Sequence, residues 1–226
     1  MATDFRQFSD EVEEIAARWH GQAGMREDWS PVLDQGNQSR DLFMPGFVEN
    51  AAGMRGYAKF RGRVDEPRDE VARIGLANEK VAADLGYELG MPVAPGTLWQ
   101  PQNAAGREDI GFISLNPFTR EAGGTFDRVM DNLRHENGGD ATQLNRQVLG
   151  QIGAQSSALW VYHAYIADLD EHSNRGDNML IAHANTAIGA PGGESPRIAS
   201  IDHGCSNMAN WAIPSASKGT VVLTRL

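Results

Sequence analysis

Apolar residues recur at helical spacing in three stretches of the chain. Phe5, Phe8, Val12, Ile15 and Trp19 fall on one face and predict a helix over residues 4–20. Ile74, Ala77, Val81, Leu85 and Leu89 form the stripe of a second helix over 70–88, which Gly90 is placed to cap and Pro92 to stop. The third and longest runs over 142–167, with Leu144, Val148, Ile152, Leu159, Tyr162 and Ile166 on one face. Its stretch 158–162 is apolar all round, which predicts a buried helix.

Short apolar runs read as strands near 42–48, 57–60, 110–115, 179–183 and 197–201, and 91–99 reads as extended. The turn 49–56 joins the first two strands into a hairpin, in which Tyr57 and Lys59 share one face and Ala58 and Phe60 the other. The polar stretch holding Pro31, Gly36 and Asn37 reads as loop. Residues 121–140, with two Gly-Gly pairs, read as an irregular or partly helical connector. A β-rich half holding one helix is thus followed by a helical half carrying a β-hairpin, with the boundary near 116–124. The expected class is α+β, and clefts between two such units commonly hold ligands.

Composition narrows the function. The chain has 226 residues, enough for one compact domain or two small lobes. It carries 20 Lys+Arg against 30 Asp+Glu, a formal charge of −10, which argues against non-specific nucleic-acid binding. The same charge disfavours stable docking on anionic membranes. The 25 glycines are too many for a helical bundle and suggest loops built close to backbone or ligand. A single cysteine, Cys205, excludes an internal disulfide and a cysteine-based zinc site. The N-terminal stretch reads as an amphipathic helix and not as a leader, and no apolar run approaches the ~20 residues that span a bilayer. The expectation is a soluble, cytoplasmic protein.

Four polar features sit where secondary structure would hold them. Lys59 lies in a strand beside a glycine-bearing turn, and Glu79 lies in the middle of a helix. Asp168 and Asp170 follow the long helix, and Asn178 directly precedes an apolar strand. Asp202 closes a strand, with Gly204 two residues on. These are the parts of a phosphoryl-transfer site. A lysine neutralises nucleotide phosphates and a glutamate holds it; an aspartate takes the proton of the acceptor hydroxyl; an asparagine and a second aspartate hold Mg²⁺. Gly53 and Gly56 would let the turn approach the phosphates closely. Because a triphosphate is anionic, Lys59, Mg²⁺ and Arg55 or Arg61 would have to form a positive cleft on an acidic protein.

In these residues the sequence resembles atypical kinases of the HipA-like and phosphatidylinositol 3-/4-kinase-like kind, within the wider protein-kinase-like fold. The resemblance rests on GYAKFRGRVDEPRDEVARIGLANEKVAADLGYELGMPVAPG at 56–96, DLDEHSNRGDNMLI at 168–181 and IDHG at 201–204. It covers roughly residues 45–205. It implies a two-lobed fold: an N-terminal helical extension over 1–40, a small β-rich nucleotide-binding lobe with one long helix over 41–118, and a reduced, mainly helical lobe over 119–226. It implies an ATP- and Mg²⁺-dependent kinase acting on an alcohol group, with Ser or Thr of a protein as the first expectation. Lys59 becomes the phosphate lysine, Glu79 its partner, Asp170 the catalytic residue, and Asn178 and Asp202 the metal ligands. Three departures stand out. The G-x-G-x-x-G loop is absent. Asn178 follows Asp170 by eight residues, where five is common, which leaves room for Asp168 or Asn174 in a role; Asp170 is preferred as the nearer to Asn178. And 24 residues follow Asp202, fewer than most kinases carry there.

Two other readings compete: a nucleotide-binding pseudokinase or interaction module of the same fold, and a metal-dependent hydrolase using His172, His203 and nearby aspartates. The remaining histidines, His20, His135, His163 and His183, are scattered and read as surface or satisfied core residues.

Overall fold

The computed structural model describes residues 3–32, 46–60, 69–100, 110–119, 123–136, 141–166, 178–182, 196–201 and 203. Among them the chain is mixed α and β, with four helices and two antiparallel sheets.

The first helix, α1 (Asp10–Trp19), starts later than its apolar pattern suggests. Ser9 caps it, its Oγ accepting the Val12 N–H at 3.4 Å, and acidic residues at 10, 11 and 13 suit the positive end of the helix dipole. Phe5 and Phe8 precede the helix; Phe8 still packs into the core, and the Phe5 N–H donates to the Gly90 carbonyl at 2.8 Å. A local cap here overrides periodicity.

A five-stranded sheet follows, built from β1 (Trp29–Pro31), β2 (Gly46–Asn50), β3 (Arg55–Phe60), β4 (Gly96–Trp99) and β5 (Gly111–Leu115) in the order β1-β2-β3-β5-β4. Alternation gives the sheet two different faces. Val48, Ala58, Ile113 and Leu115 join Trp19, Trp29 and Trp99 in one buried cluster, completed by Val12 of α1. Phe112 instead meets Leu76 and Ala83 of α2 (Asp69–Glu88). The end of α2 is as expected: Gly90 has φ +66, its N–H donates to the Tyr87 carbonyl at 3.1 Å, and the Met91 N–H donates to Gly86 at 2.8 Å. This double closure satisfies carbonyls that the helix leaves open, and glycine adopts the left-handed conformation without strain.

The second sheet has three strands, β6 (Gly123–Thr125), β7 (Met179–Ala182) and β8 (Arg197–Ser200), in the order β6-β7-β8. Ile181 and Ile198 pack on α3 (Phe126–Glu136) and α4 (Ala141–Ile166), through Val129, Met130, Val148, Ile152 and Ile166. Ala82 of α2 and Val93 belong to the same cluster, so α2 is shared by both halves of the molecule. Residues 92–94 stitch the halves together: the Ala94 N–H donates to Ser200 at 2.9 Å, and the Ser200 N–H donates to Pro92 at 2.9 Å.

Two expectations are corrected and one is refined. The stretch around Pro31 contributes an edge strand, β1, whose short length and proline suit an edge. The partly helical connector expected over 121–140 contains the amphipathic helix α3 and, in addition, the strand β6. And α4 is not buried all round: Trp160, Tyr165 and Val161 are exposed, Val161 to 72%. The stripe through Val148, Ile152, Leu159, Tyr162 and Ile166 is the packing face, and apolar residues off that stripe turn outward. No helix among the described residues is long and apolar enough to cross a membrane.

Candidate functional site

Strand alternation aims Tyr57 and Lys59 away from the tryptophan cluster that holds Ala58, as the sequence pattern predicts. Both line a cleft of about 210 Å³. Phe47, Tyr57 and Lys59 reach it from the five-stranded sheet, and Thr125, Asn178 and Leu180 from the side of the three-stranded one. Apolar walls with a few convergent polar groups suit a ligand that combines a flat apolar part with a charged one.

Lys59 is only 8% exposed and Glu79 only 2%. The Lys59 ammonium donates to Oε1 of Glu79, joining β3 to α2. The other carboxylate oxygen, Oε2, accepts the backbone N–H of His203 at 2.8 Å. Either charge alone would be expensive at this depth, so each requires the other. One carboxylate therefore fixes both the lysine and the backbone one residue past Asp202.

Asn178 enters the cleft from just before β7. It is 7% exposed, and its backbone carbonyl accepts the Ile201 N–H at 2.9 Å. Its Nδ2 is buried and has no hydrogen-bond partner among the described residues. An amide can present either end, so this side chain offers a donor for a phosphate oxygen or a carbonyl oxygen for a hard cation. An orphaned amide that lines the same cleft as a lysine fits a site for a metal-bound phosphate.

The two glycines do less than expected. Gly53 has φ +77 in the β2–β3 turn, where Oδ1 of Asn50 accepts the N–H groups of Ala52 and Met54 at 3.0 and 2.9 Å. It serves the turn and does not line the cleft. Gly56 borders the cleft, but a Cβ there would lie 2.9 Å from both Ile113 Cγ2 and the Ser114 carbonyl. Its lack of a side chain lets β3 pack against β5. Arg55, expected to add positive charge, pairs with Glu49, its Nε donating at 2.9 Å, and it does not line the cleft.

Asp168, Asp170, His172, Asn174, Asp202, Arg61 and Cys205 lie outside the described residues. The structure thus brings together Lys59, Glu79, Gly56 and Asn178, and leaves Gly53 apart. No group of three His, Cys, Asp or Glu among the described residues is placed to hold a metal ion. Sequence reasoning missed Phe47, Ser114, Asn116 and Thr125 as lining residues. Ser114 did carry a signal: it is a polar position between Ile113 and Leu115, opposite Tyr57 in the sheet register. Thr125 carried none, because its strand is two glycines and one threonine. No protein-family model matches this chain, and no curated protein matches it.

Proposed function

We propose that this chain is an ATP- and Mg²⁺-dependent phosphotransferase with the two-lobed arrangement of the atypical kinases that its sequence resembles. The observation that carries this reading is the buried Lys59–Glu79 pair on the wall of a cleft that also holds the orphaned amide of Asn178. As a purely structural device the pair has little to recommend it, because apolar side chains of similar volume would stabilise a core at least as well. Its position beside a cavity gives the lysine a ligand to meet, and a phosphate is the anion that a compact ammonium suits.

In this reading Glu79 orients Lys59 towards the α- and β-phosphates. Phe47, Leu115, Leu180 and Ile201 supply apolar surface for the base. Asn178 and Asp202 would hold Mg²⁺, which when bound neutralises charge on the transferring phosphates. Asp170 accepts the proton of the acceptor hydroxyl as its oxygen bonds to the γ-phosphorus and ADP leaves. A Ser or Thr hydroxyl of a protein is the first acceptor to test. The −10 charge speaks against nucleic acid as a partner.

A second reading is nucleotide binding without transfer. The place of Gly53, in a turn that does not line the cleft, favours it. The two are separated by incubating the protein with γ-labelled ATP and Mg²⁺, alone and with protein acceptors, beside Lys59→Ala and Asp202→Ala. Label transferred by the wild type and lost in both variants supports the kinase. ATP binding with no transfer or hydrolysis supports the second reading, and transfer that survives both substitutions overturns the site.

A further inference from the structure

We infer that Tyr162 and His163 of α4 are positioning residues for the short segment that carries Asp202, an inference that rests on the phosphotransferase reading above. His163 is 5% exposed and its Nε2 lies 2.9 Å from Oγ of Ser200, which is itself fully buried. Tyr162 donates its hydroxyl to the Ala82 carbonyl, in the middle of α2. The His203 ring, 2% exposed, stands 5.5 Å from the His163 ring and 6.1 Å edge-on from that of Tyr162.

These contacts hold both sides of position 202. Ser200 is anchored on its N-terminal side by His163, and Ile201 by the carbonyl of Asn178. His203 is anchored on its C-terminal side by Glu79 through its N–H and by the rings of α4. Elsewhere along this stripe α4 packs with Val148, Ile152, Leu159 and Ile166. Where it meets Ser200 and His203 it presents the His163 imidazole and the Tyr162 ring instead, the hydroxyl of that ring being held by α2. Buried polar groups need particular partners in a particular geometry, whereas aliphatic ones tolerate several. The cluster therefore fixes one path for the backbone on either side of a metal-binding carboxylate, while the lysine side of the cleft is held by Glu79.

The consequence is selective. Disturbing α4 here weakens the contribution of Mg²⁺ to nucleotide binding more than it weakens binding of the nucleotide alone. The full chain is titrated calorimetrically with a non-hydrolysable ATP analogue, without metal and in saturating Mg²⁺, and thermal unfolding is followed in parallel. His163→Leu is expected to lose about tenfold of the Mg²⁺-dependent gain in affinity, with metal-free affinity within roughly twofold of wild type. His163→Gln, which keeps a hydrogen-bonding group for Ser200, should recover most of that loss. If His163→Leu does not fold, Ser200→Ala, which removes the other member of that hydrogen bond, tests the same claim with a smaller change.

An unaltered Mg²⁺ gain in the folded variants, or equal losses with and without metal, overturns the inference. Lys59→Ala and Asp202→Ala are measured alongside. If both bind the analogue with Mg²⁺ as the wild type does, the site reading itself fails. If they lose binding while the α4 variants do not, only the role of α4 fails.

Discussion

On the side of the five-stranded sheet, Lys59 and Glu79 satisfy each other deep in the protein, whereas on the side of the three-stranded sheet Asn178 carries an amide nitrogen with no partner among the described residues. The pair on the first side is charge-balanced, with Glu79 reaching on to the His203 N–H, whereas the amide on the second is left with a valence to fill. A closed ion pair ties function to folding, because removing one member strands the other. An open amide separates them, because among the described residues its nitrogen bonds to nothing. The walls should therefore respond differently to substitution.

The largest effect is expected at Lys59. Lys59→Ala removes the proposed phosphate lysine and leaves the Glu79 carboxylate buried without its counter-charge. Turnover should fall about 10³-fold, and unfolding free energy by about 3 kcal/mol. Denaturant melts and steady-state assays on one preparation read both. A variant that melts like wild type would show that the pair is not the closed device described. Asn178→Ala should lose about 100-fold in turnover, with a melting shift under about 3 °C. A large stability loss there would erase the contrast between the walls.

Gly56 sharpens the contrast from the packing side. Gly56→Ala pushes a methyl against Ile113 and the Ser114 carbonyl, and should cost about 2 kcal/mol of stability. Affinity for ATP should drop less than at Lys59; a loss of binding without a loss of stability would return Gly56 to the phosphate site. The smallest effect is at the surface. Hydrogen bonds from Arg6 hold the Asp4 carboxyl below its ordinary pKa. A depressed acid contributes stability that is full above its unfolded value, about pH 4, and is lost as pH falls through the folded one. Asp4→Asn should shift melting by about 2 °C or less at neutral pH, and its difference from wild type should shrink below pH 4. A difference that grows in acid would reverse the sign.

How much of this was legible in the sequence depends on how local the cause is. The helix α2 announces itself through its apolar stripe, Gly90 and Pro92, and the structure ends it by that cap. The face shared by Tyr57 and Lys59 followed from alternation alone. The strands β1 and β6 are three residues each and owe their existence to partners elsewhere, 48–50 and 180–182. No local pattern encodes such pairing. The helix α3 showed in the sequence only as a partly helical connector, because the flanking glycine pairs interrupt the pattern that Phe126, Val129, Met130 and Leu133 begin. In the site, Lys59, Glu79 and Asn178 could be named from residue type and element. The second task of Glu79, its bond to His203, spans 124 residues and depends on the tertiary fold. The outward face of α4 was misread because an apolar run does not say which of its sides will find a partner.

The proposal to be tested is that Lys59 and Asn178 bind the phosphates and metal of one nucleotide in the cleft that both line. A crystal structure of the protein with a non-hydrolysable ATP analogue and Mg²⁺ tests it most directly. Phosphate oxygens are expected within hydrogen-bond distance of Lys59 Nζ, which keeps its contact with Glu79, together with a metal ligated by the Asn178 amide oxygen. An analogue bound away from this cleft, or seated in it with its phosphates turned from Lys59 and no metal at Asn178, would contradict the account.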